Sequence, residues 1–225
     1  MPLTIAIDGP VGAGKSTISD EVARRLGILH LDTGAMYRAV GLATLKAGID
    51  PRNEEAVCDL CEKGGAQVDV RYENGAQMTL LNGEDVSGQI RTQEAGSAAS
   101  SVSRYVPVRK MLVKRQQEMA AHQPMLLDGR DICTVVLPHA KVKIFLTASA
   151  EARAQRRMEQ LREKGDMTPF EEVLREVNAR DLQDTTRALD PLRKADDAHL
   201  VDSSNLTFEE TIQAILNLVE ESYGK

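Results

Sequence analysis

Residues 9–17 read GPVGAGKST and follow the short apolar run LTIAID at residues 3–8. The order fits G-x-x-x-x-G-K-[ST], a loop whose backbone N–H groups cradle phosphates, whose lysine reaches the β- and γ-phosphates and whose hydroxyl meets Mg²⁺. Context sharpens the match. Leu3, Ile5 and Ile7 suit a buried strand, and SDEVARRLG repeats apolar residues at helical spacing, from Val22 to Leu26, before Gly27. The glycines thus precede a helix N-terminus, where unpartnered N–H groups and the helix dipole favour an anion. Gly9, Gly12 and Gly14 let the backbone curl close to it. Gly9, Pro10, Val11, Gly12, Ala13, Gly14, Lys15, Ser16 and Thr17 are therefore the expected triphosphate-binding residues, with Ser16 on the metal. A glycine-rich turn with a merely solvated lysine is the plainer alternative, and the agreement of motif with context argues against it.

An acid and several arginines extend the chemistry. Asp128 closes the apolar run MLLD, the position from which a Walker-B carboxylate holds Mg²⁺ or its waters; an ordinary strand-ending acid would look the same. Arg38, Arg109, Arg130, Arg180 and Arg187 come from separate segments. Arg109 alone reads as a solvated surface charge. For Arg180 and Arg187 that reading is weaker, because Phe170, Val173, Leu174 and Val177 form an apolar stripe whose continuation carries Arg180, Asp184 and Arg187. An intrahelical Arg180–Asp184 pair supplies only ~0.3–0.5 kcal/mol and does not explain charges on an inward stripe. A phosphate ligand does, since guanidinium groups match its oxygens in bidentate fashion. Arg153, Arg156 and Arg157 in EARAQRR share a helical face. They read either as a solvated row interleaved with Glu151 and Glu159, or as a mobile lid closing over transferring phosphates. His30, His122, His139 and His199 are scattered, and covalent catalysis has no candidate.

These groups need a scaffold, and the chain supplies strands alternating with helices. Strand candidates lie at residues 3–8, 28–32 (ILHLD), within PMLLDGRD, at 140–148 (AKVKIFLTA) and in AHLVDSS. Helices are expected over TGAMYRAVGLATLKAG, near residues 54–63, 91–103 and 107–121, over AEARAQRRMEQLREKG and TPFEEVLREVNARDLQD, and from Thr207. Residues 66–87 differ, with short alternating strands broken by Asn74-Gly75 and Asn82-Gly83, the residue pairs of tight hairpins. The pattern predicts an α/β fold with a five-stranded parallel sheet flanked by helices and a small antiparallel β insert. Ligands of such sheets bind at the carboxyl ends of the strands, where the phosphate loop, DTGAMYR and DGRD all fall.

Composition narrows the partners. The 225 residues, 42% of them hydrophobic, suffice for one domain with appendages. A net charge of -6 argues against a nucleic-acid or membrane-surface partner. No signal-like or membrane-spanning apolar stretch is present, so a cytoplasmic protein is expected, and a monomer, since no coiled-coil segment stands out. Cys58 and Cys61 form a C-x-x-C, but without a second pair or a histidine cluster they read as packing residues on the Val57–Leu60–Cys61 face of a helix.

A phosphate loop serves switches, motors and kinases alike. No Asn-Lys-x-Asp guanine motif is present, and VSGQ at 86–89 is a defective echo of the Leu-Ser-Gly-Gly-Gln signature. A kinase whose acceptor is itself a phosphate explains both the arginines and the lack of a general base, because the attacking oxygen is already ionised. A P-loop kinase for UMP or a small metabolite is the nearest alternative, and a nucleotide-dependent switch is one from another class.

IAIDGPVGAGKST, LDTGAMYRA, AASSVS with Arg109 downstream, LLDGRDICTVVLPHAKVKIFLTAS, RAQRR and ARDLQDTTRALDPLRKADDAHLVDSS together resemble the bacterial-type cytidylate kinases, in order and through nearly the whole chain. The DGRD and ARD…D…R segments separate that family from adenylate and thymidylate kinases. The resemblance implies a P-loop nucleoside monophosphate kinase fold: one kinase domain over residues 1–225, with a monophosphate-binding β insert at 62–92 and a helical lid at about 150–167. It implies ATP- and Mg²⁺-dependent phosphorylation of CMP and dCMP. Position by position, it implies that Ser100, Arg109 and Asp131 read cytosine, that Arg38, Arg130 and Arg187 hold the acceptor phosphate, and that Arg180 and Asp184 meet the sugar. Thr33 belongs to the same acceptor set. Lys15 and the lid arginines Arg153 and Arg157 stabilise the transferring group, with Asp128 completing the catalytic set. Three positions depart from the family. Cys133 replaces an expected glycine, which would strain the loop if positive φ is needed there; Pro107 stands one place late, which would shift the helix start; and Val11 replaces a smaller residue.

Overall fold

The computed structural model describes residues 2–163 and 165–223. In chain order the elements are β1 (Thr4–Asp8), α1 (Lys15–Leu26), β2 (Leu29–Asp32), α2 (Thr33–Lys46), α3 (Glu54–Glu62), β3 (Val68–Glu73), β4 (Ala76–Leu81) and β5 (Glu84–Asp85). There follow α4 (Gln93–Val102), α5 (Val106–His122), β6 (Met125–Gly129), β7 (Val142–Thr147), α6 (Ala150–Glu163), α7 (Phe170–Thr186), β8 (His199–Asp202) and α8 (Phe208–Tyr223). The fold is α/β, with a five-stranded sheet in the order β2-β6-β1-β7-β8 and a three-stranded antiparallel sheet β3-β4-β5. Parallel pairing sets Ile5 opposite Val142 and Ile144 opposite His199. The chain divides into two compact units, residues 29–125 in one and residues 3–28 with 126 onward in the other.

In the second unit the central strands are covered on both faces, so β6 is buried at every position and β1 at all but its first residue, while the edge strand β8 is buried only at Val201. Ile5, Ile7, Leu126, Val142, Ile144 and Leu146 form the core with Ile18 and Val22 of α1 and Ile212, Ile215 and Val219 of α8. Gly27, at φ 65°, ends α1 as expected, with Ile28 N–H donating back to the Ala23 carbonyl. A smaller cluster of Ala154, Val173 and Val177, flanked by Phe170 and Leu174, joins α6 to α7. The apolar stripe of α7 is thus the seam between these helices. Arg180 departs from the inward stripe expected of it and is exposed, whereas Asp184 and Arg187 farther along remain shielded, their side chains 20% and 7% exposed.

In the first unit, Asp32, Asn53 and Thr92 cap α2, α3 and α4 through their side chains. Pro107 falls in the first turn of α5, where its missing N–H has no partner to lose, so the late proline is accommodated. Asn74-Gly75 and Asn82-Gly83 all have positive φ, the requirement of two-residue turns that match strand twist. The hairpins close between Glu73 and Ala76 and between Leu81 and Glu84. Residue 164, inside the expected lid range, lies outside the described residues.

Gly41 on α2 sets how closely α4 approaches. A Cβ there would lie 2.8 Å from the Ala99 nitrogen and 2.9 Å from the Ala98 Cβ. Gly41→Ala is therefore expected to destabilise the protein by about 1–3 kcal/mol, despite alanine's better helix propensity. Thermal unfolding of the two proteins measures this, and an unchanged or raised Tm would refute the close-packing account.

Candidate active site

The phosphate loop connects β1 to α1, with Gly12 at φ 77° and Gly14 at φ 82° in the left-handed region, Gly14 serving as the N-cap. Gly9 has a different role. A Cβ there would meet the Leu146 carbonyl oxygen at 1.9 Å, so only glycine lets the loop pass β7. Lys15 is 6% exposed and donates to the Gly9 and Pro10 carbonyls at 2.7 and 2.8 Å. Two of its three N–H groups are thus spent inside the loop. Burial, and then the neighbouring Arg130 charge, pull its pKa down to about 7, while Asp128, Asp8 and Asp184 act in the other direction. Ser16 Oγ donates to Asp128 Oδ2 at 3.2 Å. The hydroxyl and carboxylate expected to share a metal are therefore neighbours, and two hard oxygen groups fit Mg²⁺.

The turn after β6 carries the DGRD residues. Arg130 Nε donates to Asp184 Oδ2 at 2.8 Å. Desolvation works against the Arg130 charge, but Asp184 and the more distant Asp128 and Asp8 outweigh it and raise its pKa. Asp131, 5% exposed, faces Arg187 at 3.5 Å, and Arg187 also donates through Nε to the Asp190 carbonyl at 2.7 Å. Asp190 itself has φ 48°, a left-handed conformation that aspartate tolerates. Ile132–Val136 form a π-helical turn, the Asp131 carbonyl accepting from Val135 and Val136. Periodicity does not announce this element. Cys133 has no positive φ, so the strain expected of a cysteine in place of glycine does not arise.

Arg153 is 4% exposed, and this excludes the solvated-row reading for it. It makes paired bonds to Asp181 at 2.9 and 2.6 Å and donates to the Val11 carbonyl at 3.0 Å and the Ala148 carbonyl at 2.9 Å. Arg156 donates to the Ser203 carbonyl at 2.6 Å, and Arg157 is half-buried on α6. Asp181, unremarked in the sequence, is thus a main anchor of the loop's neighbour; its only signal was its place between Arg180 and Asp184 in ARDLQD.

The remaining predicted residues belong to the first unit. Thr33, 3% exposed, begins α2, and Arg38 lies 3.9 Å from Asp32. Ser100 is half-buried on α4. Arg109 is 2% exposed, 6.0 Å above the Tyr37 ring, and Nη1 donates to the Ser103 carbonyl at 3.5 Å, so the solvated reading is wrong for this arginine. Gln77 of β4 accepts from Asp32 N–H at 2.7 Å, and Tyr72 of β3 donates to the His30 carbonyl at 2.9 Å, tying the antiparallel insert to β2. Cys61 is held protonated, its pKa pushed to about 11 by burial, which suits the packing role expected of it. Among the described residues no helix is long and apolar enough to cross a membrane.

Comparison with known proteins gives concordant results. A family model described as cytidylate kinase matches residues 5–221. The chain is 47% identical to a cytidylate kinase of Caldicellulosiruptor saccharolyticus, covering 99% of this chain and 97% of that protein. It is 45% identical to one of Pasteurella multocida, with 97% and 96% covered. Its fold is similar, at TM-score 0.55 and 9% identity, to a solved structure of an uncharacterised protein from Eubacterium ventriosum, covering 97% of this chain and 98% of that one.

A polyanion entering the loop is expected to restore the charge of Lys15. With its unliganded pKa at about 7, the ammonium is largely neutral at pH 8, and binding of ATP there is expected to draw in close to one proton. Calorimetry of ATP binding in two buffers of different ionisation enthalpy measures the uptake; an equal uptake by Lys15→Met would assign it elsewhere.

Proposed function

The chain belongs to the cytidylate kinase family, and from that premise we propose that it transfers the γ-phosphate of ATP to CMP or dCMP, giving ADP and the diphosphate. The observation that carries this reading is the second unit's array: a phosphate loop with a buried lysine, beside a turn and helix whose Arg130–Asp184 and Arg187–Asp131 pairs lie close to it.

Phosphoryl transfer needs positioning and charge stabilisation more than covalent help. Residues 9–17 hold the triphosphate, their N–H groups and Lys15 gathering charge on the transferring side. Ser16 and Asp128 would hold Mg²⁺, which when bound supplies charge neutralisation on the β- and γ-phosphates. Arg130 and Arg187 bind the acceptor phosphate, exchanging carboxylate and carbonyl partners for phosphate oxygens, and Arg38 serves the same phosphate. Asp131, Ser100 and Arg109 read cytosine, whose amino group donates to a carboxylate and whose ring acceptors suit arginine and serine. Arg180 and Asp184 serve the sugar, and Thr33 the acceptor segment. Arg153, from its anchorage at Val11, and Arg157 stabilise the transferring group, with α6 acting as the lid. We place this activity in the cytoplasm, in a monomer.

Coupled ADP release with a panel of nucleoside monophosphates tests the assignment: CMP and dCMP should stimulate it most. Stimulation by UMP alone would point to the alternative acceptor, and none by any acceptor to a switch. Arg187→Ala should lower kcat/KM for CMP by about 100-fold or more, the scale of a lost charge-assisted contact in the transition state, with ATP affinity nearly unchanged. Equal loss of ATP binding would move Arg187 to the donor side.

A further inference from the structure

We propose that Asp8 is a positioning residue that fixes the Asp131 turn to the start of the phosphate loop, so that acceptor-base selectivity depends on a carboxylate with no access to substrate. The inference rests on Asp131 as a reader of cytosine and adds a residue to which no role has been assigned. Asp8 is fully buried and ends β1, and the next residue is Gly9 of the loop. Its two oxygens are divided between two consecutive peptides: Oδ1 accepts from Ile132 N–H and Oδ2 from Cys133 N–H, both at 2.8 Å. Those peptides directly follow Asp131. The Asp131 carbonyl is held in turn by Val135 and Val136. The backbone that aims Asp131 is thus clamped after its Cα from both sides, and one clamp belongs to the strand that launches the phosphate loop.

An apolar residue would fill this core position without the cost of burying a charge. A carboxylate is the short side chain able to satisfy two adjacent N–H groups at once. Burial raises the Asp8 pKa to about 6, the two N–H bonds oppose that rise, and the Asp131 charge adds to it. Lys15 and Arg130 also sense the Asp8 charge, and the Cys133 thiol is held protonated beside it.

Asp8→Asn in the full-length enzyme keeps the shape but sets an amide donor against one of the two N–H groups. It is expected to raise KM for CMP and to lower the CMP-over-UMP ratio of kcat/KM by about tenfold, the scale of one buried hydrogen bond lost, with KM for ATP changed less than about threefold. Asp131→Asn is measured beside it. If Asp131→Asn shifts the ratio and Asp8→Asn does not, Asp8 has no positioning role and the proposal fails alone. If Asp131→Asn leaves the ratio unmoved, the reading of Asp131 fails and takes the proposal with it. Should Asp8→Asn not fold, the wild-type protein decides. The Ile132 and Cys133 amide resonances should titrate with the Asp8 carboxyl near its pKa of about 6. Amides insensitive to that titration overturn the clamp.

Discussion

The governing constraint is that a site for highly charged ligands must keep charge out of water before those ligands arrive. Bringing the Lys15 pKa from 10.5 to about 7 corresponds to about 5 kcal/mol against the ammonium in the folded state. The sign follows from linkage. Between those values the unfolded chain binds the extra proton, so raising pH through that window stabilises the fold, and below about 7 the full cost is carried. Asp8 runs oppositely: its pKa is raised from 3.8 to about 6, so stability falls by about 3 kcal/mol as pH rises through that interval. Near neutral pH the folded protein therefore carries much of both costs, and a bound polyanion is what relieves the lysine's share.

The scaffold answers this with pairs rather than with solvent. Arg130 is held by Asp184, Arg187 by Asp131 and the Asp190 carbonyl, and Arg153 by Asp181 and the Val11 carbonyl. Three of these contacts reach α7 and the residues just after it, which explains why that helix changes from an apolar seam at Val173 and Val177 to a charged end. Removing either partner would leave a poorly solvated charge, a larger loss than the pair's own net contribution. On the acceptor role proposed for Arg130 and Arg187, their carboxylate partners would serve as placeholders. A phosphate offers more oxygens to a guanidinium than Asp131 at 3.5 Å does, so the arginines are oriented in advance and their partners can be exchanged.

The sequence was legible where a local rule left little choice. Asn-Gly pairs at 74–75 and 82–83 fixed the hairpins, Gly27 the end of α1, and G-x-x-x-x-G-K-S the loop, because each depends on a backbone conformation or period that few residues satisfy. The long-range pairings were not legible. Asp181 and Asp184 lie on one helix, yet they pair with Arg153 and Arg130 from distant segments. Helical periodicity describes a face and says nothing of what packs against it. Arg109 misled for the same reason: its burial over Tyr37 is decided by tertiary packing, while the sequence around it, VPVRKMLVKR, resembles a solvated surface. Arg180 differs in the opposite direction: it continues the apolar stripe but lies beyond the Ala154, Val173 and Val177 cluster that would bury it.

The turn at Ile132–Val136 shows how a departure from a family pattern can be absorbed. A glycine at 133 would free the backbone, but the N–H of Cys133 is directed at Asp8 and its thiol lies 3.5 Å from the Ala6 carbonyl and 3.7 Å from that of Ile144. Burial and the adjacent Asp8 charge keep that thiol protonated, so it packs as a small donor, not as a reactive group. The side chain fills space between β1 and β7 that glycine would leave, and the backbone has no positive φ to forbid it. The widened π turn lets Asp131's carbonyl take two N–H groups where an α-turn gives one. That is how the recognition residue proposed at Asp131 can sit on a tight connection and still be rigidly aimed.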